Sequence, residues 1–237
     1  GLAWANQPFV NDAPKIVNAM PMKSPESVEL LSTDVKARPN LWSGTQHGTA
    51  AYRLRNRHGE SVAQRFSLNS GYKVKSLTVD GVESSFTDLK NDMTWFRQVE
   101  FALPPGENIE VVVEYGGFPK MWSAVEAYMG GDEVSKRYIY LMGPSFAPVM
   151  DAHFDIQECE LVAQLTLPGN LMPVIFGQGE AVLQETAPTG AKSWQLQAKG
   201  TMLYLYAADY ERVEGSIPEL TIEVYVRREH RQVMEQV

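Results

Sequence analysis

The stretch GYKVKSLTVDG, residues 71–81, predicts the fold of the chain around it. Apolar positions such as Val74, Leu77 and Val79 are interspersed with polar ones, and β-branched side chains are frequent, which is typical of a half-buried strand. The stretch closes on Asp80-Gly81, a dipeptide that favours tight hairpin turns. We therefore predict a strand followed by a turn, as in an antiparallel sheet.

Similar segments recur along the chain, and they are separated by turn sequences such as RPN, RHGE, NSG and LPPGEN. Glycine in these turns supplies positive φ, and proline cannot donate to a strand ladder. The predicted strands are 28–35, 44–56, 63–68, 74–79, 95–103, 108–115, 138–142, 158–167, 173–176, 181–186, 192–198, 203–210 and 220–226. This pattern predicts an all-β fold of two linked antiparallel sheets, saddle-like or sandwich-like.

Two segments have helical rather than strand periodicity. The apolar residues of KMWSAVEAYMGGDE are spaced as in a short interior helix, which the pair Gly130-Gly131 would end. The final stretch RREHRQVMEQV also favours a helix, and it stops after so few turns that we expect a truncated C-terminal helix from a longer protein.

These elements suggest a domain organisation. Residues 1–25 contain four prolines without a clear period and are predicted to form an extended leader. The remainder is predicted to be one β domain, with sheet one at about 26–118, a linking helix and loop at about 119–150, sheet two at about 151–227, and the start of a following domain at 228–237.

Composition excludes several functions. The net charge of −8 opposes binding to nucleic acid, because there is no basic excess to displace counterions from phosphates. Cys159 is the only cysteine, so the chain has no internal disulfide. Its neighbours Glu158 and Glu160 raise the pKa of a thiol, which favours a small core residue over a nucleophile. No apolar run approaches the ~20 residues that span a bilayer.

Three stretches, in order, resemble one family. Residues 28–86 contain SGT, RLRN and QRFSLNSGYKVKSLTVDG, residues around 100–118 contain FALPPGENIEVVVEYGGFP, and residues 158–227 contain CELVAQLTLPGNLMPVIFGQGE, LYLYAADYERVEG and LTIEVYVR. Together they resemble the amino-terminal β (saddle) domain of gluzincin zinc aminopeptidases of the aminopeptidase N type. The link YIYLMGPSFAPVMD is closer to the peptidase-like domains fused to ABC-type transporter permeases.

The resemblance implies a scaffold rather than a catalyst. The family's reaction needs H-E-x-x-H on a helix, where two histidines bind zinc and the glutamate acts on water. The four histidines, His47, His58, His153 and His230, form no such motif. The family's β domain also supplies a Gln or Glu for the substrate amine, and residues 139–150 contain neither. The resemblance places zinc and the peptide substrate in a catalytic domain outside this chain, and it favours an extracytoplasmic or membrane-tethered parent.

Two local groups suggest other chemistry. Asp151, His153 and Asp155 alternate, so an extended strand would place them on one face about 7 Å apart, where they could share a divalent ion. A solvated strand face is the favoured alternative. The aromatic residues could stack on sugars, but their positions in apolar strands favour core packing for most of them: Trp42, Trp95, Trp122, Trp194, Tyr204, Tyr206 and Tyr210. Trp122 is the one that we expect to be exposed.

Three functions follow from these observations. The leading hypothesis is a non-catalytic amino-terminal scaffold domain of a zinc-aminopeptidase-like protein, which packs on a catalytic domain and walls its substrate cleft. The alternative is an autonomous glycan- or protein-binding β-sandwich module. The third is a metal-dependent enzyme that uses Asp151, His153 and Asp155.

Overall fold

The structure is a computed structural model that describes residues 28–89, 96–120, 133–150, 160–175, 179–199, 204–217 and 220–228. These residues form strands and one 3₁₀ turn, Gly143–Ser145. The strands are β1 (Val28–Asn40), β2 (Thr45–Asn56), β3 (Val62–Asn69), β4 (Tyr72–Val79), β5 (Val82–Glu83), β6 (Phe86–Leu89), β7 (Phe96–Leu103), β8 (Gly106–Gly117), β9 (Glu133–Val134), β10 (Tyr138–Met142), β11 (Val149–Met150), β12 (Glu160–Leu167), β13 (Met172–Ile175), β14 (Gly179–Thr186), β15 (Lys192–Lys199), β16 (Tyr204–Ala208), β17 (Tyr210–Ile217) and β18 (Leu220–Arg227).

The largest element is an eight-stranded sheet with the order β14-β15-β12-β1-β2-β8-β4-β5, which we call the main sheet. Its neighbouring strands are antiparallel except β1 and β12, which run parallel with Asp34 opposite Val162. Two four-stranded antiparallel sheets have the orders β13-β16-β10-β9 and β11-β3-β7-β6, and β17 pairs with β18 as a hairpin. The all-β, sandwich-like prediction is therefore confirmed.

The alternation of buried and exposed residues along the strands shows which sheet faces form the core. In β8, Ile109, Val111, Val113 and Tyr115 are buried, while Glu110 and Glu114 between them are exposed. Buried residues of the main sheet and of the β11-β3-β7-β6 sheet belong to one apolar cluster, as expected for layers that pack face to face. Full burial of a side chain such as Val113 contributes about 1.5–3 kcal/mol relative to exposure.

The quoted stretch folds as its pattern predicts. It forms β4 and ends in a two-residue turn in which Asp80 has φ of 50° and Gly81 has φ of 76°. Two positive φ angles define the type I′ hairpin turn, whose twist matches that of the flanking strands. Val79 pairs with Val82 across this turn.

The sheets do not divide along the chain as predicted. Strands β12, β14 and β15, from the predicted second sheet, extend the main sheet beyond β1. The physical reason is a matched apolar row: Val35 is opposite Ala163 and Ala37 is opposite Leu165, and all four side chains are buried. Short strands β5, β6, β9 and β11 were not predicted, and the predicted strand 203–210 is interrupted at Asp209, after which β17 begins.

Several predicted segments lie outside the described residues. They are the leader 1–25, most of the interior helix after Lys120, and the C-terminal helix after Arg228. Within the part of the chain that the structure describes, no helix is long and apolar enough to cross a membrane.

Candidate functional site

The candidate site is a buried loop, residues 143–148, which we call the held loop. It begins with the 3₁₀ turn Gly143–Ser145 and leads into β11. Gly143 has φ of 43°, a left-handed conformation that glycine adopts readily. Ser145 and Phe146 are at most 1% exposed, although connecting segments usually lie at the surface. A buried loop needs partners for its backbone polar groups.

Three buried tyrosine hydroxyls supply these partners. Each tyrosine comes from a different strand of the main sheet and donates to a different carbonyl oxygen of the held loop. The bonds are Tyr72 to Ser145 at 2.6 Å, Tyr115 to Phe146 at 2.7 Å, and Tyr52 to Pro148. The Tyr72 and Tyr115 rings also pack with centroids 5.9 Å apart. The main sheet therefore holds the loop by its backbone, without depending on the loop's side chains.

Asn69 connects the held loop to two other segments. Its Nδ2 donates to Ser145 Oγ at 2.7 Å and to the Lys120 carbonyl at 3.2 Å. Its Oδ1 accepts from the amides of Gly71 at 2.9 Å and Lys120 at 2.8 Å. Asn69 is 0% exposed. One side chain thus joins the β3–β4 turn, the exit from β8 and the held loop.

Gln46 is a further buried polar residue at this site. It is 0% exposed, and its Nε2 donates to the Phe146 carbonyl at 3.3 Å. Its Oε1 has no hydrogen-bond partner within the described ranges. The Phe146 carbonyl therefore accepts from both Gln46 and Tyr115.

Two glycines allow the close approach of the backbone. A Cβ on Gly48 would lie 2.6 Å from the Tyr115 hydroxyl oxygen, and one on Gly71 would lie 1.9 Å from the Phe118 carbonyl oxygen. Both distances are shorter than real Cβ contacts. The glycine in NSGY and the glycine in QHGT are therefore steric requirements of this site.

The hydroxyl groups of Tyr52 and Tyr115 are weaker acids than an exposed tyrosine. Burial raises the pKa of Tyr52 well above its usual value, and the neighbouring Tyr115 raises it further. Burial also raises the pKa of Tyr115, and a hydrogen bond with Gln46 opposes part of that rise. Both side chains are therefore neutral hydrogen-bond donors at physiological pH. The arrangement positions a loop rather than moving protons.

The metal and aromatic candidates from the sequence have different outcomes. Asp151, His153, Asp155, Trp122 and Cys159 lie outside the described residues, so their roles stay predictions. Among the residues that are described, no three His, Cys, Asp or Glu side chains are grouped as metal ligands.

Core packing was the wrong prediction for Trp42, which is 85% exposed. It lies in the turn between β1 and β2, where Asn40 Oδ1 accepts from the amides of Trp42 at 3.0 Å and Ser43 at 3.2 Å. Lys136 Nζ lies 4.2 Å from the centre of its ring. Trp194 and Tyr206 are partly buried, which fits packing at the core edge.

The sequence analysis missed the residues that hold the loop: Gln46, Tyr52, Asn69, Tyr72 and Tyr115. One signal was present, because a tyrosine on the apolar face of a strand needs a partner for its hydroxyl. That signal indicates a buried hydrogen bond, but not which distant carbonyl accepts it.

Comparison with known proteins finds similarity in structure but not in sequence. No protein-family profile matches the sequence, and no curated protein matches it. An M1 zinc metallopeptidase from Deinococcus radiodurans has a similar structure, with a TM-score of 0.59 and 17% sequence identity, over 86% of this chain and 48% of that one. A mutant of this metallopeptidase bound to a Tyr-Ser-Ala substrate gives a TM-score of 0.57 at 16% identity, over 83% and 46%.

A two-domain M1 zinc metallopeptidase mutant bound to L-tryptophan is also similar, with a TM-score of 0.60 at 16% identity, over 86% of this chain and 48% of that one. At these identities the likeness is one of fold. The chain spans about half the length of the metallopeptidase chains that it matches. It therefore has the fold of part of such a protein.

Proposed function

We propose that this chain is the non-catalytic amino-terminal scaffold domain of a zinc-aminopeptidase-like protein, and that it packs on a catalytic domain and walls its substrate cleft. The observation that supports the proposal is the asymmetric coverage: similarity extends over 86% of this chain and over 48% of an M1 zinc metallopeptidase. A domain that forms about half of a longer enzyme gives this coverage.

The chemistry of the chain agrees with a supporting role. Its sequence contains no H-E-x-x-H, the spacing that places two imidazoles on one face of a helix to bind zinc. The buried tyrosines have raised pKa values and serve as hydrogen-bond donors. Zinc belongs, in this proposal, to the catalytic domain.

The held loop is the part of the domain that we assign to the wall of the cleft. Its backbone is fixed by Tyr52, Tyr72 and Tyr115, so it has a rigid position relative to the main sheet. It has no Gln or Glu to receive a substrate amine. The parent protein is therefore either inactive or selects its substrate through other groups.

The first experiment is to read the gene beyond the codon for Val237. The proposal expects an in-frame H-E-x-x-H about a hundred or more residues downstream and a further glutamate after it. An immediate stop codon would contradict the proposal. The complete gene sequence also tests whether the parent protein is membrane-tethered and extracytoplasmic, of the ABC-transporter type. Such a parent requires apolar segments long enough to span a bilayer.

The second experiment uses the parent protein. Zinc content and hydrolysis of aminoacyl-p-nitroanilides are measured for the wild type, for Tyr115→Phe, and for a variant of the H-E-x-x-H glutamate. We expect Tyr115→Phe to keep the zinc and change KM, because it loosens the cleft wall. An unchanged KM and kcat would contradict the assignment of the held loop to the cleft.

A glycan-binding module is less well supported by the described residues. A sugar platform needs two or three coplanar rings on one solvent-facing surface. The exposed aromatic side chains that are described, Trp42, Phe86 and Phe118, lie in a turn, in β6 and after β8. They do not form a ring platform on one sheet face.

A further inference from the structure

Among the described strands, β14 (Gly179–Thr186) forms one edge of the main sheet and pairs with β15 alone. Seven of its eight residues are exposed, including Val182 at 40% and Leu183 at 45%. An edge strand presents unpaired amide and carbonyl groups, and natural proteins rarely leave long apolar edges open. The exposed apolar side chains of β14 are therefore unusual for an edge strand.

The register shows what each side of β14 presents. On one face, Ala181 is opposite Leu196 and packs against the core. Leu183, opposite Trp194, lies on the same face but is 45% exposed. Glu180, Val182 and Glu185 are opposite Gln197, Gln195 and Ser193, on the other face. That face presents an apolar side chain between two carboxylates. Within the described ranges, neither Glu180 nor Glu185 has an ion-pair partner.

A second copy of the chain fits this edge poorly. An antiparallel pair of β14 strands centred on Val182 would place the two Val182 side chains opposite each other, and Ala181 of each copy opposite Leu183 of the other. Counted across the register shift between Leu183 and Glu185, the same pairing places Glu180 of each copy opposite Glu185 of the other, and like charges opposite each other destabilise a strand pair. The net charge of −8 on each copy adds to the repulsion.

We propose that β14 binds an extended, basic peptide segment by strand addition. In this mode the backbone bonds give affinity, and alternating side chains give specificity. The partner places a Lys or Arg near Glu180 and another near Glu185, with apolar side chains opposite Val182 and Leu183. The register shift between Leu183 and Glu185 limits uninterrupted pairing to 179–183, which restricts indiscriminate edge contacts.

This inference goes beyond the scaffold role and does not depend on it. A peptide can bind this edge whether or not a catalytic domain follows, because β14 and the held loop belong to different parts of the molecule. The gene-reading experiment above tests only the scaffold role.

The test uses the 237-residue chain and a fluorescein-labelled peptide containing Lys-Val-Val-Ala-Lys between short flexible ends. Fluorescence anisotropy measures its binding, and amide NMR shifts locate it. We expect shifts concentrated in β14 and β15. The control is a peptide that differs only by proline in place of the central valine, because proline lacks the amide hydrogen needed for strand pairing. Equal binding of the two peptides would overturn the proposal.

Charge is tested with matched variants. Glu180→Lys with Glu185→Lys should weaken binding about fivefold, as expected for the loss of two exposed ion pairs. The control variant, Glu60→Lys with Glu83→Lys, changes the net charge by the same amount at sites away from β14. Glu60 lies in the β2–β3 turn, and Glu83 lies in β5 at the opposite edge of the main sheet. That control should bind as the wild type does. An equal loss in both variants would mean attraction to net charge alone and would overturn the proposal.

Backbone pairing is tested with two N-methylated peptides, each blocked at alternate amides. Only one set of amides can face β14, so one peptide should bind and the other should not. Equal binding, or NMR shifts outside β14 and β15, would overturn the proposal. Dimerisation of the chain through β14 in the absence of peptide would also overturn it, in favour of a second copy.

Discussion

Asn69→Ala should destabilise the protein more than any other single change of an amide side chain at the site. The substitution removes four hydrogen bonds, to Ser145, to Gly71 and twice to Lys120. Loss of the buried bond to Ser145 costs about 1–3 kcal/mol because it removes a hydrogen bond from the protein interior, and loss of each of the other three costs about 0.5–1 kcal/mol. The total is about 2.5–6 kcal/mol, a large share of the ~5–15 kcal/mol by which domains are stable.

The assay is equilibrium unfolding in urea, followed by tryptophan fluorescence and by circular dichroism. Coincident transitions are required before a free energy is assigned. Asn40→Ala is the matched control, because Asn40 Oδ1 also accepts from two amides but Asn40 lies at the exposed end of β1. It should cost about 1 kcal/mol or less. Both variants should keep the m-value of the wild type, since the surface exposed on unfolding is the same.

A double-mutant cycle isolates the buried bond. Ser145→Ala should cost about 1–2 kcal/mol. The double variant with Asn69→Ala should cost less than the sum of the two, because the two side chains share one bond. A cost below 1 kcal/mol for Asn69→Ala, or strict additivity with Ser145→Ala, would refute the view that Asn69 holds the loop.

Three further outcomes are expected. The contribution of Tyr52 and Tyr115 to stability should be constant well below pH 10 and should fall well above it by about 2.7 kcal/mol per pH unit, because both hydroxyls ionise freely only when unfolded. In urea titrations at several pH values, Tyr52→Phe with Tyr115→Phe should therefore make the alkaline slope shallower than that of the wild type. An unchanged slope would contradict the burial of the two hydroxyls. Gly71→Ala should lower the melting temperature strongly, while Gly59→Ala, with no atom within 4 Å of its Cβ, should leave it nearly unchanged, and equal shifts would contradict the steric argument. Trp42→Ala should change stability by less than about 0.5 kcal/mol and should remove an iodide-accessible part of the fluorescence. A larger loss of stability would mean that Trp42 is packed.

The strands could be predicted from the sequence because their signal is local. The two-residue period of β4 and the Asp80-Gly81 turn are properties of neighbouring residues, and both are present in the structure. The partner of β1 is not a local property. Many apolar strands could have supplied the row opposite Val35 and Ala37, and only the folded chain selects β12.

The candidate site could not be predicted for a related reason. The tyrosine hydroxyls bond to backbone carbonyls, which every residue has, so no sequence motif marks the acceptors. Trp42 was assigned to the core because it is large and apolar. Its position two residues after the turn-forming Asn40 determines its exposure instead.

The parallel pairing of β1 with β12 also bears on how the chain folds during synthesis. Among the described strands, the one that pairs with the outer edge of β1 is β12, so this edge stays open until more than a hundred further residues have left the ribosome. Until then the nascent amino-terminal half exposes an apolar strand edge, the kind of surface that chaperones protect and that aggregates when unprotected. Contacts so distant in sequence also slow folding, because the intervening chain must be ordered first. Expression of residues 26–118 alone should therefore give an aggregating product rather than an independent half.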